Sequence, residues 1–305
     1  MSAWAVALMA GALVGAGPQE VPGVSGVEDA PVQIEDVEVS RRRLRDEVEH
    51  FVENVAAPPP GRGLARWHYA LCIGTVNIEQ RVAQPLIDHV AGVAASYGLR
   101  VGAPGCQPNV VIIFTDNGSG LASTLVEAEP QVFRSGWSSQ LDRGARALQL
   151  FQSADVPVRW WHVSMPVVGA TGQRAIRMPG DVDPIFVPGE GLVNKGRPIA
   201  DHMNKVIIIV DLAKTEDFLL SELSDYLALV ALAQIDAAGD TSRHETVLNL
   251  FSRPGSVHGL SDWDRAYLAS LYGAYSERIN SHDHASSMTR EIRRADQKAE
   301  GGVKN

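Results

Sequence analysis

The 305-residue sequence contains only two cysteines and no long apolar run. The cysteines are not arranged as Cys-x-x-Cys, which argues against a redox motif and against a cysteine zinc site. A transmembrane helix needs about 20 consecutive apolar residues, and no stretch of this sequence is that long. The composition, with 45% hydrophobic and 21% charged residues, is that of a globular protein.

Positive charge is also scarce. The sequence has 27 Lys and Arg against 36 Asp and Glu, which gives a net charge of −9. Proteins that bind nucleic acid usually present a basic face, so nucleic acid is not expected as a partner. Several common motifs are missing as well, namely a phosphate-binding P-loop, Gly-x-Gly-x-x-Gly and Gly-x-Ser-x-Gly. No cofactor is predicted.

The N-terminal 17 residues carry no charge and are almost all apolar or small. They predict a signal peptide over residues 1–17, although the usual Lys or Arg before the apolar run is missing. The alternative is a buried N-terminal helix. Export predicts a periplasmic or secreted protein, with no stable membrane span after the signal is removed.

The two cysteines, Cys72 and Cys106, predict one disulfide, since exported proteins commonly pair an even number of cysteines. Two buried free thiols are the alternative if the chain is not exported. Cys106 comes just before a predicted buried strand at 109–115, and Cys72 lies within the preceding strand. A bond between them would join neighbouring strands.

The rest of the chain predicts three further segments. Residues 18–61 are expected to form a linker and an N-terminal helix that starts after Ser40. Residues 62–275 are expected to form the main α/β domain, and 276–305 a polar C-terminal tail that frays. The main domain begins with a β-α-β unit, and its elements are predicted from hydrophobic periodicity. Strands are predicted at 70–76, 109–115, 158–166 and 205–212, and helices at 78–97, 121–128, 141–154, 219–235 and 262–272.

The last predicted helix has a clear start signal. Ser261 is a suitable N-cap, and the acidic Asp262 and Asp264 favour a helix N-terminus through the helix dipole. Leu268, Leu271 and Tyr272 recur at helical spacing and predict the buried face.

This end of the sequence resembles the closing helix of the metzincin zinc proteases. Thr246-Val247-Leu248 falls where those proteins have a turn with a methionine under the metal, and Ser221–Asp225 falls where they have His-Glu-x-x-His. The resemblance covers residues 66–273 in the order of elements but only 221–273 in motif. It implies an α/β fold with a zincin-like mixed sheet, a β-α-β start, an active-site helix and a C-terminal helix.

The zinc ligands of that family are not present. The three ligand positions hold Ser221, Asp225 and Ala231, and only Glu222 matches the motif. The glycine and methionine positions hold Ala228 and Leu248. Without three ligands a metal-bound water is not formed or acidified, so Glu222 alone cannot act as the general base of a zinc protease. A degenerate site without metal is therefore predicted.

The chain also resembles a group of uncharacterised bacterial envelope proteins. The residues that carry this resemblance are 63–67, 158–166 and 229–236. It implies no activity. Together with the degenerate site, it predicts a non-catalytic binding or structural module of the cell envelope, whose partner is another envelope protein or a peptide.

Other assignments stay open. One is a hydrolase that uses Glu222 and Asp225 with a histidine such as His162 or His202. Another is an anion-binding module at a loop between a buried strand and a helix, formed by Asp116, Asn117, Gly118, Ser119 and Gly120.

Two weaker patterns complete the list of candidates. The His282-Asp283-His284 run, with His258 nearby in sequence, has the residue types of a metal site. Arg159, Trp160, Trp161 and His162 alternate across a predicted strand, which favours core packing but also suits a recognition surface.

Overall fold

The computed structural model describes residues 34–56, 63–133, 143–168, 172–177, 184–187, 191–192, 199–273 and 285–294. The predicted signal peptide and the His282–His284 run lie outside these residues. Contacts divide the chain into two compact units, Met1–Val39 and Ser40–Asn305. The sites described below belong to the second unit.

The described elements follow one another from an N-terminal helix to a C-terminal helix. The helices are α1 (Ile34–Asn54), α2 (Gln80–Ser96), α3 (Gly118–Ala128), α4 (Pro130–Phe133), α5 (Gly144–Ser153), α6 (Leu220–Leu232), α7 (Asp262–Tyr272) and α8 (285–294). The strands are β1 (Ile73–Val76), β2 (Val110–Thr115), β3 (Val158–Val168), β4 (Ile176–Arg177), β5 (Pro184–Val187), β6 (Gly191–Leu192) and β7 (Ile199–Asp211).

The central sheet has the strand order β1-β2-β7-β3. β1, β2 and β7 are parallel, and β3 runs antiparallel to β7 at one edge. β4, β5 and β6 form a separate small antiparallel sheet. The predicted α/β fold class is confirmed, as is the β-α-β unit made by β1, α2 and β2.

The sheet separates two hydrophobic clusters because alternate strand residues face opposite sides. Trp160 on β3 belongs to the larger cluster, together with side chains of α2, α6 and α7. Trp161 belongs to the smaller cluster, with Ala122 of α3 and Phe151 of α5. Both tryptophans are buried, so the expectation that they alternate across the strand and pack into the core is confirmed.

Several element boundaries differ from those predicted. α1 begins at Ile34, seven residues before the predicted start at Arg41, after Ser40. α2 begins at Gln80 and passes through Pro85 in its second turn. The proline costs one intrahelical hydrogen bond, and its side chain is exposed to solvent.

The C-terminal region also differs from the prediction. Residues 285–294, expected to fray, form a helix whose Met288 is completely buried in the larger cluster. The two buried apolar residues Ala285 and Met288 lie three residues apart, and two positions are too few for a periodicity signal. They are nevertheless enough to anchor one helical turn to the core.

Cys72 and Cys106 form a disulfide with a Cα–Cα distance of 5.9 Å, as predicted. The bond ties the entrance of β1 to the loop that leads into β2, and Gly102 packs directly against the Cys106 sulfur. Such bonds persist in oxidising compartments. None of the helices in the described part of the chain combines the length and the apolar composition needed to cross a membrane.

Replacement of both cysteines by alanine is expected to lower the free energy of unfolding by about 4 kcal/mol, because the closed loop of 34 residues restricts the unfolded chain. Urea denaturation of the oxidised protein and of the double variant measures this difference. Reduced wild-type protein is the matched control and should unfold like the variant. Equal midpoints for the oxidised and reduced forms would contradict a stabilising role.

Three histidines of the described part of the chain are buried in the neutral state. His162, His202 and His244 are 5%, 3% and 2% exposed. Burial lowers the pKa of each from 6.5 to about 4, and a second histidine ring, His68 beside His202 and His50 beside His244, acts in the same direction. Each folded-state pKa is therefore below its unfolded value, so the stability contributed by the neutral ring is present above about pH 6.5 and is lost as the pH falls toward 4.

The free energy of unfolding should accordingly drop between pH 6.5 and 4, by up to about 1.4 kcal/mol per pH unit for each histidine. Urea denaturation at several pH values in this window measures the slope. His162→Gln keeps a donor for the Val230 carbonyl but does not titrate, and it should reduce the slope by about a third. An unchanged slope in this variant would exclude His162 as a contributor.

Candidate functional site

The helix at the predicted metal position is α6, which follows β7 and packs against α2. Ser221 is exposed, Asp225 is partly buried, and Ala231 is completely buried in the core. The three positions that would hold zinc ligands therefore do not share a solvent-accessible face. Among the described residues, no group of three or more His, Cys, Asp or Glu is placed to hold a metal ion.

Glu222 has a structural function at the start of α6. Its Oε2 accepts a hydrogen bond from the Leu219 backbone N–H at 3.3 Å, as the third helical residue does in a capping box. Its Oε1 lies 3.1 Å from Nδ1 of His258, a side chain that is 73% exposed. The carboxylate is thus occupied by a helix N-terminus and by one surface histidine.

Asp225 lies one turn further along α6 and joins three elements. Its Oδ1 is 2.5 Å from His89 Nε2 on α2, and its Oδ2 accepts the Leu260 backbone N–H at 2.9 Å. Gly259 has φ of 150° and passes so close that a Cβ would lie 2.4 Å from the carboxylate. The loop before α7 can therefore approach α6 only with glycine at this position.

The histidines next to these carboxylates are not the ones that the sequence suggested. His162 binds the Val230 carbonyl at 2.8 Å inside the core, and His202 stacks on His68 with ring centroids 4.6 Å apart. Among the described residues, the histidines that contact the carboxylates of α6 are His89 and His258. His89 could have been found only by knowing that α2 packs on α6, a contact between segments 136 residues apart.

The turn before α7 is held by the buried carboxylate of Asp264. Asp264 is 0% exposed and accepts hydrogen bonds from the Thr246 hydroxyl, the Val247 N–H, the Ser261 N–H and the Ser261 hydroxyl, at 2.5 to 3.0 Å. Burial raises the pKa of Asp264, and the four donors act in the opposite direction. Ser261 in turn caps α7, as predicted. Turn and closing helix are therefore joined as one unit.

The Asp116–Gly120 segment leads into the first turn of α3, and three of its five backbone N–H groups already have acceptors within the protein. The Asn117 side chain accepts the Gly120 N–H at 2.9 Å, and the Thr115 hydroxyl accepts the Asn117 N–H at 3.2 Å. The Gly118 N–H donates to Asp211, whose carboxylate occupies the place of an external anion. This geometry does not favour anion binding at the loop.

The opposite side of α6 borders an apolar cleft that runs along β3, here called the edge groove. Its cavity volume is about 330 Å³. Helix α5 forms one wall, through Ala147 and Leu150, and residues 235–252 form the other, through Leu248 and Phe251. The floor is the strand segment 158–162 itself.

Backbone groups of β3 point into the edge groove without a partner. The Asp211 N–H bonds to the Pro157 carbonyl, so the odd-numbered residues of this part of β3 pair with β7 and the even-numbered ones face outward. The outward groups of Pro166 and Val168 bond to the segment 173–175. No described residue forms a backbone hydrogen bond with the outward groups of Val158, Trp160 and His162.

Asp264→Asn is expected to lower the free energy of unfolding by about 2–3 kcal/mol, since an amide offers one acceptor to four buried donors. Glu222→Gln should cost less than about 1 kcal/mol, because the amide oxygen can still accept the Leu219 N–H and the partner His258 is exposed. Urea denaturation at pH 7 measures both. A larger loss for Glu222→Gln than for Asp264→Asn would contradict the structural functions assigned to the two carboxylates.

Comparison with known proteins finds no matching family model and no significantly similar curated protein or solved structure. The resemblance to metzincins therefore depends on residues 221–273 and on the order of the elements. No activity, ligand or partner is carried over from another protein.

Proposed function

We propose that this protein is a non-catalytic binding module of the cell envelope that holds an extended peptide segment in the edge groove. The observation that carries this proposal is the unpaired edge of β3, which lies at the floor of an apolar cleft. The peptide would add a strand to the central sheet next to β3. The free backbone groups and the apolar walls of the groove define the partner only by its chemistry. It is a protein with an accessible, extended and apolar segment.

The number and spacing of the free backbone groups suit a short strand. Three outward residues, Val158, Trp160 and His162, each offer one N–H and one C=O. They are two residues apart, so they span about 14 Å of extended chain. A peptide strand that pairs with all of them needs about five or six residues, and its main-chain hydrogen bonds would supply affinity with little dependence on sequence.

The walls of the groove select apolar side chains. In an added strand, alternate side chains point to opposite faces of the sheet. On one face they would meet Ala147 and Leu150 of α5, and on the other Leu248 and Phe251. Burial of apolar surface there contributes about 25 cal/mol per Å².

The residues around α6 support binding rather than hydrolysis. Glu222 and Asp225 each accept a backbone N–H and contact a histidine, so both carboxylates help to hold the helix and its loop in place. These carboxylates are the only ones in 221–225, and neither faces the edge groove. A scaffold that resembles a protease and holds a peptide without cutting it accounts for this arrangement.

The proposed location rests on two features. The disulfide between Cys72 and Cys106 indicates an oxidising compartment. The apolar residues 1–17 predict export. Together they favour the periplasm or the cell surface, where a module that captures extended segments of envelope proteins would meet its ligands.

The proposal predicts saturable binding of apolar peptides. A random octapeptide library displayed on phage is the probe, and selected peptides are then synthesised and titrated by fluorescence polarisation. Leu150→Asp places a charge on the groove wall and should weaken binding at least about tenfold, through loss of apolar contact and burial of a carboxylate. The backbone N–H groups of Trp160 and His162 should become protected from hydrogen exchange when peptide is bound.

Leu220→Asp is the matched control, since Leu220 and Leu150 are both 38% exposed and only Leu150 lines the groove. This variant should bind the selected peptides as the wild type does. An equal loss of affinity in both variants would refute the groove as the site. So would bound peptide that leaves exchange at Trp160 and His162 unchanged.

A further inference from the structure

A second cleft lies on the other side of the segment 244–261, between that segment and the start of α7. This polar cleft has a volume of about 590 Å³. The edge groove and the polar cleft share no lining residue. The segment that contains the turn at Thr246–Val247 separates them, so the polar cleft is a distinct surface.

Most polar side chains of the polar cleft are already satisfied within the protein. The Asn249 amide donates to the carbonyls of Thr241 and His244, and its oxygen accepts the Thr241 hydroxyl. The hydroxyls of Thr246 and Ser261 donate to Asp264. These groups give the cleft rigid walls and leave it few free donors.

The donors that remain free belong to cationic or protonatable side chains. Arg253 uses one Nη to donate to the Ser242 carbonyl, and Arg265 uses one Nη to donate to the Leu260 carbonyl at 2.9 Å. His258 uses Nδ1 toward Glu222. Within the described residues, neither arginine forms an ion pair, and Nε2 of His258 has no hydrogen-bond partner.

Each arginine is oriented by its backbone contact but keeps most of its donors. A guanidinium has five N–H donors, so each arginine has four to spare. Guanidinium groups fixed in this way match the geometry of carboxylates and phosphates, because two parallel N–H groups can meet two oxygens. The protein as a whole carries a net charge of −9. A cleft with two arginines that form no ion pair with a described residue therefore differs from the acidic character of the rest of the chain.

Two acidic side chains also line the polar cleft. Asp225 is neutralised in part by the Leu260 N–H and by His89. Glu245 is exposed to solvent, and its carboxylate forms no ion pair with a described residue. No hydrogen bond to a described residue orients the Glu245 side chain, whereas Arg253 and Arg265, which are also exposed, are each oriented by one contact to a backbone carbonyl.

We infer that the polar cleft binds a small anion through Arg253 and Arg265, with His258 as a third donor. The chemical class is a ligand that carries a carboxylate or phosphate group, since these anions accept paired N–H donors. The cavity volume exceeds what one phosphate fills, which leaves room for a polar remainder that contacts the satisfied walls. This inference does not depend on peptide binding in the edge groove.

Titration of the full-length protein with inorganic phosphate, and separately with acetate, tests the site at constant ionic strength by ¹H–¹⁵N NMR. Saturable shifts are expected at the Nε–H groups of Arg253 and Arg265 and at nearby amides. Arg253→Gln and Arg265→Gln should each weaken binding about tenfold, and the double variant should abolish it, because charge-assisted hydrogen bonds are lost. A phosphate response without an acetate response would assign the ligand to phosphate compounds, and the reverse to carboxylates.

The matched control is the double variant Arg100→Gln with Arg146→Gln, which removes the same charge from exposed arginines outside the cleft. It should retain wild-type affinity. Shifts that do not saturate, or a control variant that loses as much affinity as the cleft variant, would overturn the inference. Thermal unfolding of every variant verifies that lost binding is not caused by lost folding.

Discussion

The carboxylate of Asp264 holds the parts of the structure on which both clefts depend. It is completely buried, and it accepts four hydrogen bonds that tie the turn at Thr246–Val247 to the start of α7. That turn belongs to the segment that forms one wall of the edge groove and the opposite wall of the polar cleft. A buried carboxylate is costly unless it is fully hydrogen-bonded. Asp264 meets this condition because turn and helix each contribute two donors.

The requirement that a buried carboxylate be hydrogen-bonded also explains the residues that resemble a protease site. Glu222 and Asp225 lie one turn apart on α6, where an isolated carboxylate at a half-buried position would be destabilising. Each obtains a backbone N–H, from Leu219 and from Leu260, and each contacts one histidine. The match of Glu222 to the zinc-protease motif is therefore explained by helix capping. The general base of a zinc protease acts on a metal-bound water, and the described residues place no group of metal ligands beside Glu222.

The sequence predicted an element correctly wherever the residues of one short segment determine its structure. α7 begins and ends as predicted because Ser261 and Asp264 form its cap and Leu268 and Leu271 recur at helical spacing. The buried strand β2 was predicted within one residue from its continuous apolar run. The α/β class followed from the alternation of such segments, and the Cys72–Cys106 pair from the even count of cysteines.

The candidate sites could not be predicted in this way, because they depend on contacts between distant segments. His89 reaches Asp225 only because α2 and α6 cover the same face of the sheet. The edge groove exists because the segment 158–162 of β3 pairs with β7 on one side alone. The side chains of this segment are all buried, and no periodicity distinguishes such an edge strand from a central one. Arg253 and Arg265 are ordinary surface residues in the sequence, and only the turn held by Asp264 brings them to one cleft.

The two clefts proposed as binding surfaces are lined by parts of one segment, residues 235–261. The wall segment has its own internal hydrogen bonds at Asn249 and is fixed to α7 through Asp264, so its two faces move together. A ligand at either cleft must be accommodated by the same turn, since packed segments shift as units rather than deform locally. By linkage, any coupling between the two ligands must be equal in both directions.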